Sequence, residues 1–344
     1  MVTLLTAFAG FALGVAAILG LAVVEWAAWV LVLPSRRPGA LAAQVTFLTD
    51  PDAPERRLGD PIEAIAPDGV TLAGLWHPSC HPAGRTPGTV LFIHGYAEDP
   101  SGLRERMDAL NLHGWDVAAL DLRAHGRSGG DRASFGPREA RDISAWIDAL
   151  TASGRLGNPA NPAVALWGRS MGASVCVHAA NDPRIAAIVL EAPYADLKAP
   201  LLRVLRRKRV PFARLFATLV PRRAAKLSGV SLFRPRPIDL APAIQIPVLI
   251  VHGTVDPLIP LAEVRRFAGS FARADLIEIP GAGHNSVVEV GGRPLLDRVA
   301  TFLDRAATAG NHASGLTVSV NFIENAPVTG LTFATPENTP DDPA

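Results

Sequence analysis

Six short apolar runs recur after residue 88: Thr89–Ile93, Val117–Leu120, Ala163–Trp167, Ile185–Leu190, Val248–Val251 and Leu276–Ile279. They are apolar at consecutive rather than alternate positions, the signature of strands covered on both faces. Patterns of helical period lie between them, clearest at Pro137–Leu150, Met171–Asn181 and Pro294–Ala307. Strands alternating with helices predict βαβ units and a mostly parallel sheet, hence an α/β fold with helices on both faces. Asp68-Gly69 predicts a turn between two further strands, near 61–66 and 70–76. In sheets of this kind ligands gather at the carboxyl ends of the strands. The residues directly after each apolar run are therefore where chemistry is expected.

After Ala163–Trp167 comes Gly168-Arg169-Ser170-Met171-Gly172, a G-x-S-x-G, followed by Ala173-Ser174-Val175-Cys176-Val177, which can run straight into a helix. Strand, sharp turn and helix are what a nucleophile elbow requires. The serine takes a strained φ/ψ, and Gly168 and Gly172 permit the close approach around it. Ser170 then projects at a helix amino terminus, whose dipole favours a developing anion. A serine hydroxyl needs a base to take its proton. The candidate base is His284 in Gly281-Ala282-Gly283-His284, just after the last run. The candidate carboxylate to orient it is Asp256, after Val248–Val251. For an oxyanion hole, the backbone N–H of Met171 follows the nucleophile and that of Tyr96 lies in His94-Gly95-Tyr96 after Thr89–Ile93.

Five motifs in order carry a resemblance: Leu91-Phe92-Ile93-His94-Gly95, Asp121-Leu122-Arg123-Ala124-His125-Gly126-Arg127-Ser128, the serine elbow, Pro247–Asp256 and Gly281–His284. Over about residues 60–308 the chain resembles the α/β-hydrolase superfamily, in particular its membrane-anchored bacterial esterase-like members. The order Ser170…Asp256…His284 is that family's order, distinct from the two common protease orders. In some relatives the carboxylate follows the strand Ile185–Leu190, which here would be Glu191 or Asp196; Asp256 matches the common pattern better. His94, His125 and His252 also sit beside glycines at strand ends. In this fold such histidines usually brace loops, so they stay outside the triad, and Asp121 and Arg123 are expected to tie their own loop. Cys176 is expected as a buried core thiol.

The amino terminus carries a different signal. From Val2 to Leu33 the only charged side chain is Glu25. About 20 residues cross a ~30 Å hydrocarbon core, so Thr3–Val23 suffices, with Glu25, Trp26 and Trp29 at the far interface. Residues 1–33 are thus expected as a single transmembrane anchor, the alternatives being a soluble apolar helix or a signal peptide cut near Ala40–Ala43. Arg36 and Arg37 follow the span and nothing basic precedes it, which places the catalytic bulk in the cytoplasm. Residues 34–58, with Pro34, Pro38, Pro51 and Pro54, read as a linker, 59–308 as the catalytic domain, and 309–344 as a disordered tail.

The insertion at 195–246 stands apart in charge. Between Lys198 and Arg236 there are twelve basic residues and no acidic one, whereas the whole chain has a net charge of +1. Leu201, Val204 and Leu205 form one apolar helical stripe; Phe212, Leu215, Phe216, Leu219 and Val220 form a second, bounded by Pro211 and Pro221. In α/β-hydrolases this position commonly carries a cap. A basic amphipathic cap either contacts anionic headgroups, at about 1 kcal/mol per basic residue near the surface, or packs its stripes on the sheet and solvates its arginines.

The near-neutral balance does not suggest wholesale nucleic-acid binding, and two cysteines make neither a disulfide framework nor a four-cysteine zinc site. His77-Pro78-Ser79-Cys80-His81 lacks the first cysteine of a haem motif, and no phosphate-binding or dinucleotide loop follows a strand. No cofactor or metal is expected. The reading is a serine hydrolase of carboxylic esters or thioesters, acting on a small-molecule or lipid-like acyl substrate. Its rivals are a membrane-tethered scaffold of the same fold, or an acyltransferase or peptidase using the same triad.

Overall fold

The computed structural model describes residues 2–34, 59–80, 86–98, 100–156, 163–309 and 320–322. The expected linker beyond Pro34 and most of the expected tail lie outside the described residues.

The helix α1 (Val2–Val32) comes first, then the antiparallel pair β1 (Asp60–Ile65) and β2 (Thr71–His77), joined through Gly69 at φ 82°. The six apolar runs become β3 (Thr89–Ile93), β4 (Asp116–Leu120), β5 (Val164–Arg169), β6 (Ile185–Glu191), β7 (Val248–Gly253) and β8 (Ala274–Ile279). A short strand β9 (Val320–Phe322) completes a nine-stranded sheet of order β1-β2-β4-β3-β5-β6-β7-β8-β9. All pairings from β4 onward in that order are parallel. Part of the tail expected to be disordered is thus a strand, set on the edge of β8, where unpaired backbone groups invite one more partner.

The helices are α2 (Arg104–Leu112), α3 (Pro137–Ala152), α4 (Met171–Ala179), α5 (Lys198–Arg207) and α6 (Ala213–Ser228) of the 195–246 insertion, α7 (Pro237–Leu240), α8 (Leu261–Ala268) and α9 (Val287–Ala309). Alternate strand residues feed two cores, as a period of two demands. Leu91, Ile93, Leu120 and Leu166 face one, with Trp146 of α3, Val175 of α4 and Phe267 of α8. Val90, Phe92, Val117 and Trp167 face the other, with Met107 of α2 and Val299 and Leu303 of α9.

Two expectations change here. The apolar stripe around Pro221 does not stop at that proline: α6 runs through it to Ser228, its inner face held by buried Ala217, Val220, Ala224 and Leu227. The end of α1 is also no free tether. Val24, Ala28 and Val32, spaced four apart on one face, are buried in the same core cluster as the sheet. Glu25, whose carboxylate stays partly exposed, pairs with Arg223 of α6 and accepts the Trp29 indole N–H at 3.0 Å. Packing against α6 supplies what the local sequence does not announce.

Candidate active site

The elbow is built by close backbone approach. Ser170 sits at φ 51°, ψ −108°, between the end of β5 and the start of α4. A Cβ on Gly168 would lie 2.2 Å from the Gly172 carbonyl oxygen, and one on Gly172 would lie 2.1 Å from that of Ile93. Both distances are impossible for a real side chain, so the two glycines are steric requirements of the turn. The contact also presses α4 against the end of β3, next to the loop that carries Tyr96.

His284 follows β8 and Asp256 follows β7, and these strands are neighbours in the sheet. Their loops are pinned together: the Val255 amide donates to Ala282 O at 3.0 Å and the Gly281 amide to Thr254 Oγ1 at 3.0 Å. The three distant side chains therefore meet. His284 Nε2 lies 3.1 Å from Ser170 Oγ, and His284 Nδ1 lies 2.7 Å from Asp256 Oδ2. The other carboxylate oxygen, Oδ1, accepts the amides of Leu258 at 2.7 Å and Ile259 at 2.9 Å. Burial works to raise the Asp256 carboxyl, but the hydrogen bond and charge of His284 and the two amides outweigh it and hold it below its ordinary value. Asp256 is thus kept as an anion, placed to receive Nδ1–H and leave Nε2 facing the hydroxyl.

The alternative carboxylates are committed elsewhere. Glu191 is fully buried and takes a two-pronged hydrogen bond from Arg106, at 2.8 and 2.5 Å, and the Trp167 indole N–H at 3.1 Å. Burial pushes its carboxyl up, yet Arg106 and Arg169 more than offset this and hold it low. Asp196 accepts the Lys198 amide at 2.7 Å. The strand-end histidines brace loops: His94 Nδ1 lies 2.7 Å from Gly95 O while its Nε2 accepts the Leu122 amide, His125 Nδ1 lies 2.9 Å from Arg123 O, and His252 Nε2 lies 2.9 Å from Ile259 O. Arg123 ties its loop to Asp142 and Asp68. Cys176 is buried in α4, and burial pushes its thiol well up.

Met171 opens α4, so its N–H is among the four that a helix leaves without an intrahelical partner. Tyr96 stands on the β3 loop, its ring stacked on Phe135 at 5.4 Å and its hydroxyl donating to Val30 O of α1 at 2.6 Å. Sequence reasoning missed the strut beside them. Arg169, the variable residue of the elbow motif, reaches Glu98 at 2.5 Å with one nitrogen and Asn285 Oδ1 at 2.8 Å with another. Glu98 in turn accepts the Gly95 amide at 2.9 Å. One guanidinium therefore links the Tyr96 loop to the His284 loop, a role that only the fold reveals. Among the described residues no cluster of His, Cys, Asp and Glu is arranged to hold a metal.

Comparisons with known proteins agree with this architecture. A family model described as serine aminopeptidase, S33 matches residues 84–239, and one described as TAP-like protein matches residues 230–314. The chain is similar to a monoacylglycerol lipase of Mycolicibacterium smegmatis, 30% identical over 267 residues, covering 67% of this chain and 91% of that one. It is also similar to an uncharacterized protein of Mycobacterium tuberculosis, 28% identical over 246 residues, covering 71% and 78%. Among solved structures, an esterase of Pyrococcus furiosus superposes with a TM-score of 0.60 at 22% identity, covering 80% of this chain and 98% of that one. The chain belongs to the α/β-hydrolase superfamily, and it is a hydrolase.

Proposed function

We propose that the protein is a membrane-anchored serine esterase that cleaves carboxylic esters, or thioesters, through an acyl-enzyme. The observation that carries this reading is the continuous line Ser170 Oγ, His284 imidazole, Asp256 carboxylate, with 3.1 and 2.7 Å between successive partners. Ser170 attacks the acyl carbonyl while His284 Nε2 takes its proton, and Asp256 stabilises the imidazolium. The N–H groups of Met171 and Tyr96 receive the oxyanion. His284 then returns the proton to the departing alcohol, and a water, activated by the same imidazole, releases the acid. Resemblance to a monoacylglycerol lipase favours an acyl chain on a small alcohol as the substrate.

α1 supplies the anchor in this reading: Thr6–Val32 is 27 residues long, enough to span, and an 18-residue stretch within it has a mean hydropathy of 2.4. Arg36 and Arg37, directly after the span, favour a catalytic unit on the cytoplasmic side, where the basic cap meets anionic headgroups. The purified chain is tested on p-nitrophenyl esters of increasing chain length beside matched amides. Ester turnover that disappears in Ser170→Ala supports the reading. Turnover of amides alone favours a peptidase, and turnover surviving the substitution contradicts a serine nucleophile.

A further inference from the structure

The cap and the anchor are one body. Glu25 of α1 pairs with Arg223 of α6, and four residues further along both helices Trp29 lies beneath the Arg132 guanidinium, 5.2 Å from its centre, while Arg132 donates to Leu227 O. Moving forward on α1 therefore moves forward on α6, so the two helices run in the same direction. The amino end of α6 accordingly points the way α1 does as it leaves the protein and its apolar side chains, Phe8, Phe11, Leu13, Ile18 and Leu19 among them, become exposed.

That end of α6 is apolar and uncovered. Phe212 is 79% exposed, Leu215 55% and Val204, on the neighbouring α5, 37%. Around them stand exposed Arg206, Arg207, Lys208, Arg209 and Arg214, with no acidic residue anywhere from 198 to 236. Large apolar side chains ringed by cations fit a boundary where hydrocarbon meets anionic headgroups. A water-facing tip gains nothing from an exposed phenylalanine, and an acidic protein partner would leave unexplained why the patch points along a lipid-compatible helix.

The other end of this body reaches the site. The Tyr96 hydroxyl donates to Val30 O, the Ala133 amide donates to Val32 O at 2.8 Å, and Tyr96 stands beside the elbow. From the exposed tip to the oxyanion loop the path runs through α6, α1 and Tyr96 without a linker.

We infer that the end of α1 and the α5–α6 hairpin form a single bilayer-docking face, seated in anionic lipid, which presents the Ser170 site to esters held in that same membrane. The inference rests on the serine-esterase reading and adds the route of its substrate.

The test uses the full chain reconstituted in vesicles of phosphatidylcholine with phosphatidylglycerol. Three readings are taken: hydrolysis of a long-chain monoacylglycerol in the vesicle, hydrolysis of soluble p-nitrophenyl butyrate, and labelling by a fluorophosphonate. In the double variant Phe212→Ser, Leu215→Ser, vesicle ester turnover is expected to fall about tenfold or more, the loss of two apolar side chains inserted into lipid being worth at least that. Soluble ester turnover and labelling stay within about twofold, which also reports that the variant folds. Replacing Arg206, Arg207, Lys208 and Arg209 by Gln gives the same selective loss, and omitting phosphatidylglycerol reproduces it in the parent chain. Equal loss on both esters, or no loss on either, overturns the docking face. A parent chain that takes no label and turns over neither ester overturns the esterase reading, and the inference with it.

Discussion

The strand-end site and the α1–α6 contact are both assembled from distant segments, but they are specified in opposite ways. Ser170, Asp256 and His284 each follow a strand of one parallel sheet, so the backbone ladder brings them together once the strands pair in order. Glu25, Trp29 and Val30 meet Arg223, Arg132 and Tyr96 only because α1 packs beside α6 and against two neighbouring loops. The first arrangement is dictated by hydrogen-bonded register, the second by apolar burial with a half-exposed ion pair beside it. Damage at the two places should therefore differ in kind: chemistry fails at one, seating at the other.

The sharpest break is expected from Ser170→Ala, which should lower kcat on a soluble ester about 10⁶-fold with the thermal midpoint little changed. Asp256→Asn should cost about 10⁴-fold, by favouring the wrong imidazole tautomer, again with KM nearly constant. Glu191→Gln tests the frame behind the elbow. It leaves Arg106 buried without its anion and should destabilise the fold by about 3–5 kcal/mol in denaturant titration. The sign of the pH effect follows from a Glu191 carboxyl held below its ordinary value. The stabilisation it contributes is complete above the usual glutamate range and is lost as pH falls from there through the lowered native value, so the variant should have a flatter acid limb. Gly172→Ala should cost about 3 kcal/mol, since the added methyl meets the Ile93 carbonyl and the elbow must shift, and soluble-ester turnover should fall with it. At the α1–α6 contact the effect should be smallest. Glu25→Gln removes a half-exposed ion pair, and soluble-ester turnover should stay within about twofold, because pairs of that kind contribute little.

The same contrast explains what the sequence made legible. Six consecutive-apolar runs located β3 to β8 within two residues or so at either end, because a strand buried on both faces leaves no room for polar positions. The site residues were legible for the same reason: each lies in a short motif directly after such a run, and their spacing in the chain is immaterial once the sheet forms. What stayed hidden depends on partners far away with no local period. Arg169 looks like any variable elbow residue until Glu98 and Asn285 are brought to it. Val24, Ala28 and Val32 are lost in a uniformly apolar segment, where a buried stripe has no polar background to stand against. Pro221 reads as a helix end, but tertiary packing carries α6 past it. Val320–Phe322 is too short to be told from a loop, and gains its strand character only from the open edge of β8.

Peptide mapping of a fluorophosphonate adduct tests the central claim most directly. Labelled to completion, the chain is expected to carry one phosphonyl group, on Ser170, and a His284→Ala variant is expected to take it up at a small fraction of the parent rate. An adduct on another residue, or equal labelling without the imidazole, would mean that the 3.1 Å approach of His284 to Ser170 does not activate that hydroxyl.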